Sequence, residues 1–143
     1  MQPKQILLTI SLFLVSFLCF TTKSVGQHMN AKDAPCQGPS SNAEETQCFI
    51  GASRAADAQL NRTYDRVREV LSGDEQKELQ TAQRLWLRFR DASCAAERHL
   101  YEGGTAAPMV YAACTEAATR QRTAELKTMY GWRVIKFSGS DLP

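Results

Sequence analysis

The chain has 143 residues, the size of one domain, and 22% of them are charged. Its 17 basic residues include Lys4 and Lys23 in an N-terminal segment that reads as removable, and without those two the 15 acidic residues are matched by 15 basic ones. A formally neutral chain excludes the basic excess that a nucleic-acid or membrane-surface partner requires.

Met1 to Lys4 carries one positive charge, Ile6 to Phe20 is almost unbroken apolar sequence, and Ser24-Val25-Gly26 supplies small residues before a cleavage point. That order reads as a secretory signal peptide over residues 1–26, cleaved after Gly26. The apolar run is shorter than the roughly 20 residues that cross a bilayer, so an uncleaved anchor is the weaker alternative and no stable membrane insertion is expected after cleavage. Cys19 follows Leu18, which is too large for the position before a lipid-bearing cysteine, so no lipid anchor is expected. Export leaves Cys36, Cys48, Cys94 and Cys114, and four cysteines in a small exported domain point to two disulfides. A zinc site is the competing idea. No two of these cysteines stand in the close spacing of a zinc pair, and the histidines are only His28 and His99, so neither metal nor cofactor is expected.

Residues 27–41 are rich in Pro, Gly, Ser, Asn and Asp and form an irregular leader that Cys36 pins. Ser41-Asn42-Ala43-Glu44 fits a capping box at the start of a first helix running to about Leu71. Its stripe is Phe49, Ala52, Ala56, Leu60, Tyr64, Val67 and Leu71, at gaps of three and four. Ser72-Gly73-Asp74 breaks it, with Gly73 as a left-handed stop and Asp74 as the next cap. The second helix carries Leu79, Ala82, Trp86, Phe89, Ser93, Ala96 and Leu100, the most regular stripe in the chain. Tyr101-Glu102-Gly103-Gly104-Thr105 is the second break, where Thr105 caps a third helix and Pro108 sits in its first turn. That helix runs to about Tyr130 and ends at Gly131. Its looser stripe of Val110, Ala113, Cys114, Ala117, Ala124 and Met129 is interrupted by Gln121 and Arg122. Residues 131–143 form a tail that packs back or makes a short strand, frayed at its end.

The fold class is therefore all-α: a small antiparallel three-helix bundle with its helical domain over residues 42–130, stapled by two disulfides. Folding the second helix on the third about Gly103-Gly104 sets Cys94 and Cys114 at similar height, leaving Cys36 to pair with Cys48. Folding the first helix on the second brings Cys48 to the same end as Cys94. Cys48–Cys94 with Cys36–Cys114 therefore stays open as the alternative.

No catalytic motif is present: there is no nucleophile elbow, no zinc-protease helix and no phosphate loop. His99 lies five residues after Cys94, off its helical face, and reads as a helix-end residue that complements the dipole. Glu44-Glu45 and Asp74-Glu75 sit at helix starts, where acidic residues are expected for the dipole alone. Asn61-Arg62-Thr63 matches a glycosylation acceptor but lies mid-helix. The chain reads as a binding protein and not an enzyme. The informative polar residues are Asp57 and Asn61 on the first helix, Arg90 and Asp91 on the second, and Arg122 on the third. Charges near a helix seam need partners. An interhelical network joining Asp57 or Asp91 to Arg90 or Arg122 is favoured over a ligand site, because guanidinium groups brace carboxylates with two prongs.

These residues also fall into a pattern. Ala56-Asp57-Ala58-Gln59-Leu60-Asn61-Arg62-Thr63-Tyr64, then Ala82-Gln83 through Trp86 to Arg90-Asp91-Ala92-Ser93-Cys94, then Thr119, Arg122 and Leu126 come in order at compatible spacing. With Cys48, Gly103-Gly104-Thr105 and Cys114, the chain from about Cys36 to Tyr130 resembles the LprI-type lysozyme-inhibitor domain family. The resemblance implies a small exported bacterial helical domain with disulfides, located in the periplasm or secreted. It also implies a protein partner, lysozyme or a related peptidoglycan-cleaving muramidase. The second reading is a non-inhibitory structural or stress protein of the envelope with another partner. A neutral inhibitor gains little long-range steering toward a basic lysozyme, so inhibition implies a loop inserted into the enzyme's cleft. The two loops at the bundle ends are the candidates. Tyr101, Glu102, Gly103 and Gly104 are favoured over residues 72–74, because they combine an aromatic anchor with two glycines.

Overall fold

The structure is a computed structural model that describes residues 28–38 and 41–143. The signal-peptide reading and Cys19 fall outside the described residues. A single 3-10 turn at His28–Asn30 precedes three α-helices: α1 over Asn42–Glu69, α2 over Gly73–His99 and α3 over Ala107–Ser138. No strand occurs among the described residues. The fold is all-α, and its disulfides are Cys36–Cys48 and Cys94–Cys114. The alternative pairing is thereby set aside. Helix α3 is the centre of the bundle: α1 and α2 each pack along it, and direct packing between α1 and α2 is sparse.

Helix α1 follows its sequence pattern. Ser41 is the N-cap and its hydroxyl accepts the Glu44 N–H at 3.3 Å, satisfying one of the first-turn amides. Phe49, Leu60, Val67 and Leu71 are buried, and Ala52, Ala56 and Tyr64 are half-buried beside them. The end of α1 differs from expectation. Gly73 is not a left-handed stop but the first residue of α2, and Asp74 is not the cap. The cap is Ser72, two residues earlier, in a box whose Glu75 carboxylate accepts the Ser72 N–H at 2.8 Å. No left-handed glycine is needed, because side chains take the last carbonyls of α1. The Gln76 amide donates to the carbonyls of Arg68 and Leu71 at 3.0 Å each, and Arg133 donates to that of Val70 at 3.1 Å.

Helix α2 departs further. Its buried residues are Leu79 and Cys94, and its core-facing row runs through Gln83, Trp86, Arg90 and Glu97. Phe89 and Leu100, placed inward by the apolar spacing, are 69% and 80% exposed. The physical reason is that the inward face is filled by polar groups with partners on α1 and α3, which makes burying it affordable.

Helix α3 is buried on two sides, so its core is an arc rather than a stripe. Arg122, Thr119, Thr115 and Glu116 belong to that arc, whereas Ala124 and Met129 lie outside it. Thr105 does not cap it. The N-cap position is Ala106, and the preceding residues close a chain of tight turns, with Gly104 N–H bonding the Tyr101 carbonyl at 3.0 Å. Gly131 does not end it either. The helix continues to Ser138 and stops at Gly139, which takes the left-handed conformation at φ 69°. A glycine inside a helix costs about 1 kcal/mol. Two tertiary contacts beyond it outweigh that cost: Val134 is fully buried, and Arg133 forks onto Glu75 at 2.8 and 2.9 Å. No strand forms in the tail, and Leu142 packs on the core beyond the helix end.

The leader is more ordered than its composition suggests. Ala34 and Cys36 are buried, Asp33 pairs with Arg120 at 2.7 Å, and His28 pairs with Glu97 at 2.8 Å. Two apolar clusters result. One joins the leader to Phe49, Met109, Ala112 and Ala113, and the other gathers Leu60, Val67, Leu71, Leu79, Leu126 and Val134.

Candidate functional site

Between the two clusters, one polar side chain from each helix meets. The Arg90 side chain is 11% exposed. Its guanidinium donates to Asp57 Oδ1 on α1 at 2.8 Å, to Thr119 Oγ1 on α3 at 3.0 Å and to Asp91 Oδ1 at 2.9 Å. Thr119 also donates to Asp57 at 3.4 Å. The Trp86 ring has Arg90 over it at 5.2 Å and Arg122 at 5.8 Å, so the indole packs against two cations. Arg122 does not join Asp57 or Asp91. It donates to Gln83 and Glu125, each at 3.2 Å, forming a second tie between α3 and α2. Asn61 is exposed and lines an open groove of about 390 Å³ between α1 and α2, with Tyr64, Gln83, Arg84 and Arg90. The structure thus gathers Asp57, Arg90 and Asp91 and keeps Arg122 apart. Thr119 and Gln83 are partners that charge patterning misses, because neither is charged.

The other nominated residues sit at the end where α2 turns into α3. Gly103 adopts φ 81°, a left-handed conformation that favours glycine. A side chain on Gly104 would meet the Tyr101 carbonyl oxygen at 3.2 Å. Both glycines are therefore set by the turn's own geometry. Tyr101 is half-buried, and Glu102, Gly103 and Gly104 are exposed. Glu102 bonds His99 at 3.0 Å across the turn. Glu102 and Gly103 also line a cleft of about 490 Å³ with Ile50, Arg98, His99, Pro108 and Tyr111. Arg98 lies over the Tyr111 ring at 5.9 Å. The Cys94–Cys114 bridge clamps the two helices just below this end.

A ring nitrogen of His28, a Glu97 oxygen and the Cys114 sulfur lie within 4.8 Å of one another. The sulfur is committed to its disulfide and offers no thiolate, and His28 and Glu97 satisfy each other, so the cluster is a leader clamp. No helix among the described residues is long and apolar enough to cross a membrane.

The family model described as Lysozyme inhibitor LprI matches residues 36–126, from the first leader cysteine to Leu126 in the core of α3. The chain is similar to an uncharacterized protein of Rhizobium meliloti (strain 1021), with 30% identity over 125 residues that cover 78% of this chain and 88% of that protein. No solved structure matches the chain. The matched segment contains both disulfides and the Asp57–Arg90–Thr119 junction, and the chain belongs to the LprI lysozyme-inhibitor family.

Proposed function

We propose that this protein is exported, acts outside the cytoplasm in the periplasm or beyond, and binds and inhibits lysozyme or a related peptidoglycan-cleaving enzyme. The observation that carries this reading is the family match across the disulfide-stapled core. The two disulfides are consistent with an oxidising compartment outside the cytoplasm. The protein works by binding and does no chemistry of its own.

The inhibitory element is the turn Tyr101-Glu102-Gly103-Gly104. Three of its four residues are exposed, and the helices that carry it are tied covalently by Cys94–Cys114. A turn held in one conformation loses little further freedom on binding, which favours insertion into an enzyme cleft. Glu102 supplies a carboxylate to a basic enzyme, and Tyr101 supplies an aromatic surface. Replacing Tyr101 and Glu102 together by alanine removes both contacts without touching either apolar cluster. Loss of lysozyme binding with an unchanged melting temperature supports this placement. Undiminished binding by the folded double variant rejects it.

A further inference from the structure

We propose that the outer face of α2 is an interface for a second copy of this chain, with the two α2 helices pairing antiparallel. Ala82, Leu85, Phe89, Ala92, Ala96 and Leu100 follow one another at gaps of three or four, so they form one stripe on the helix. All six are exposed, and Leu85, Phe89 and Leu100 are 59%, 69% and 80% so. The face turned to the core is a different one, about a third of a turn away, with Gln83, Arg90 and Glu97. An amphipathic helix normally does the reverse. Here polar partners hold the inner face and a disulfide holds the helix down, which leaves the apolar stripe free for contact outside the fold.

The order of sizes along the stripe names the occupant. Place a two-fold axis between Arg90 and Asp91, perpendicular to the helix. Phe89 then falls opposite Ala92 of the second copy and Leu85 opposite its Ala96, while Leu100 of the second copy comes within one residue of the level of Ala82. Each large side chain meets a small one, at the register an isologous contact requires. Parallel pairing would instead set Phe89 on Phe89 and alanine on alanine, giving a clash and a void. The stripe spans about 27 Å at the rise of an α-helix. Such a pair buries on the order of 1,000 Å² in total, the lower bound of a specific interface, so the dimer dissociates on dilution. The balanced charge that remains without Lys4 and Lys23 leaves no net repulsion between copies. A strongly basic enzyme fits the stripe less well, because Arg88 borders it at three residues from Leu85 and four from Ala92.

Sedimentation equilibrium on the oxidised mature protein, from micromolar to near-millimolar concentration, tests this. The expected result is a reversible monomer–dimer equilibrium. Phe89→Arg should weaken it at least about tenfold, with the melting temperature of dilute protein unchanged because Phe89 lies outside the core. Phe89→Ala and Ala92→Phe should each weaken it, and the two together should restore it, since the pair swaps a knob and its hole. A monomer at every concentration overturns the proposal, as does a dimer indifferent to Phe89→Arg. A swap no better than its single variants overturns the antiparallel register.

Discussion

Arg90 on α2 and Asp57 on α1 meet at 2.8 Å, and the same guanidinium reaches Thr119 on α3 at 3.0 Å. One arginine therefore ties all three helices at a level where α1 and α2 have little other packing. Asp57 keeps nearly half of its side chain in water, so the pair is worth less than a fully buried one.

Arg90→Ala is expected to cost about 1–3 kcal/mol, because it leaves Asp57 and Thr119 without their partner. Phe89→Ala, one residue away, should change the stability of the monomer by less than about 0.5 kcal/mol, as expected for an exposed position. Urea unfolding of both variants in dilute, oxidised protein checks the order. An aromatic that matters more than the adjacent arginine would reverse the assignment of faces on α2.

The Cys94–Cys114 bridge closes a loop of 20 residues and holds down a helix with two buried residues. Replacing both cysteines by alanine should cost about 3 kcal/mol. The loss should appear first as faster amide exchange along α2, with α1 and α3 less affected. Uniform exchange across all three helices would mean that α2 is held mainly by something other than the bridge.

Acid should weaken the fold through two carboxylates. The Ser72 backbone N–H, and then Arg133, hold Glu75 below its ordinary pKa, and a hydrogen bond from Arg120 does the same for Asp33. A carboxylate with a lowered folded-state pKa adds stability above its unfolded pKa. That contribution is lost as the pH falls through the folded value. The melting temperature should therefore hold steady at neutral pH and fall through and below the usual carboxylate range. Glu75→Gln should start lower at neutral pH and show a shallower fall. Parallel acid limbs for variant and parent would show that Glu75 takes no part.

The end of α3 yields a prediction that the sequence alone would not make. Ending the chain after Tyr130 removes Val134 from the second cluster and Arg133 from Glu75. Val134→Ala alone should cost about 1–3 kcal/mol, and the truncation more. Thermal unfolding of the truncated protein distinguishes this from a dispensable tail, which would leave the melting temperature unchanged.

What the sequence made legible follows from how each helix meets its neighbours. Helix α1 presents one face to α3, so its apolar spacing from Phe49 to Leu71 reads directly as its buried side. Helix α2 carries its most regular apolar row outward, and the step from Phe89 to Arg90 turns the helix from solvent to core. Hydrophobic period cannot detect that inversion, because it assumes the core side is the apolar side. Helix α3 contacts both neighbours, so Arg122 reads as an interruption of its stripe although it lies in the buried arc, and Thr119 of the same arc lies outside the apolar pattern altogether. Gly131 looked like a stop because the contacts that override it, through Arg133 and Val134, are distant in sequence. The turn residues 101–104 were legible as a loop from their glycines. The share of Glu102 and Gly103 in a cleft with Ile50 and Tyr111 was not, since that depends on how α1 and α3 pack.

The most direct measurement is the rate at which lysozyme clears a suspension of bacterial cell walls in the presence of the purified, oxidised mature protein. An inhibitor predicts that the rate falls as protein is added and levels off once it exceeds the enzyme. A clearing rate unchanged at a large molar excess of folded protein would contradict the account.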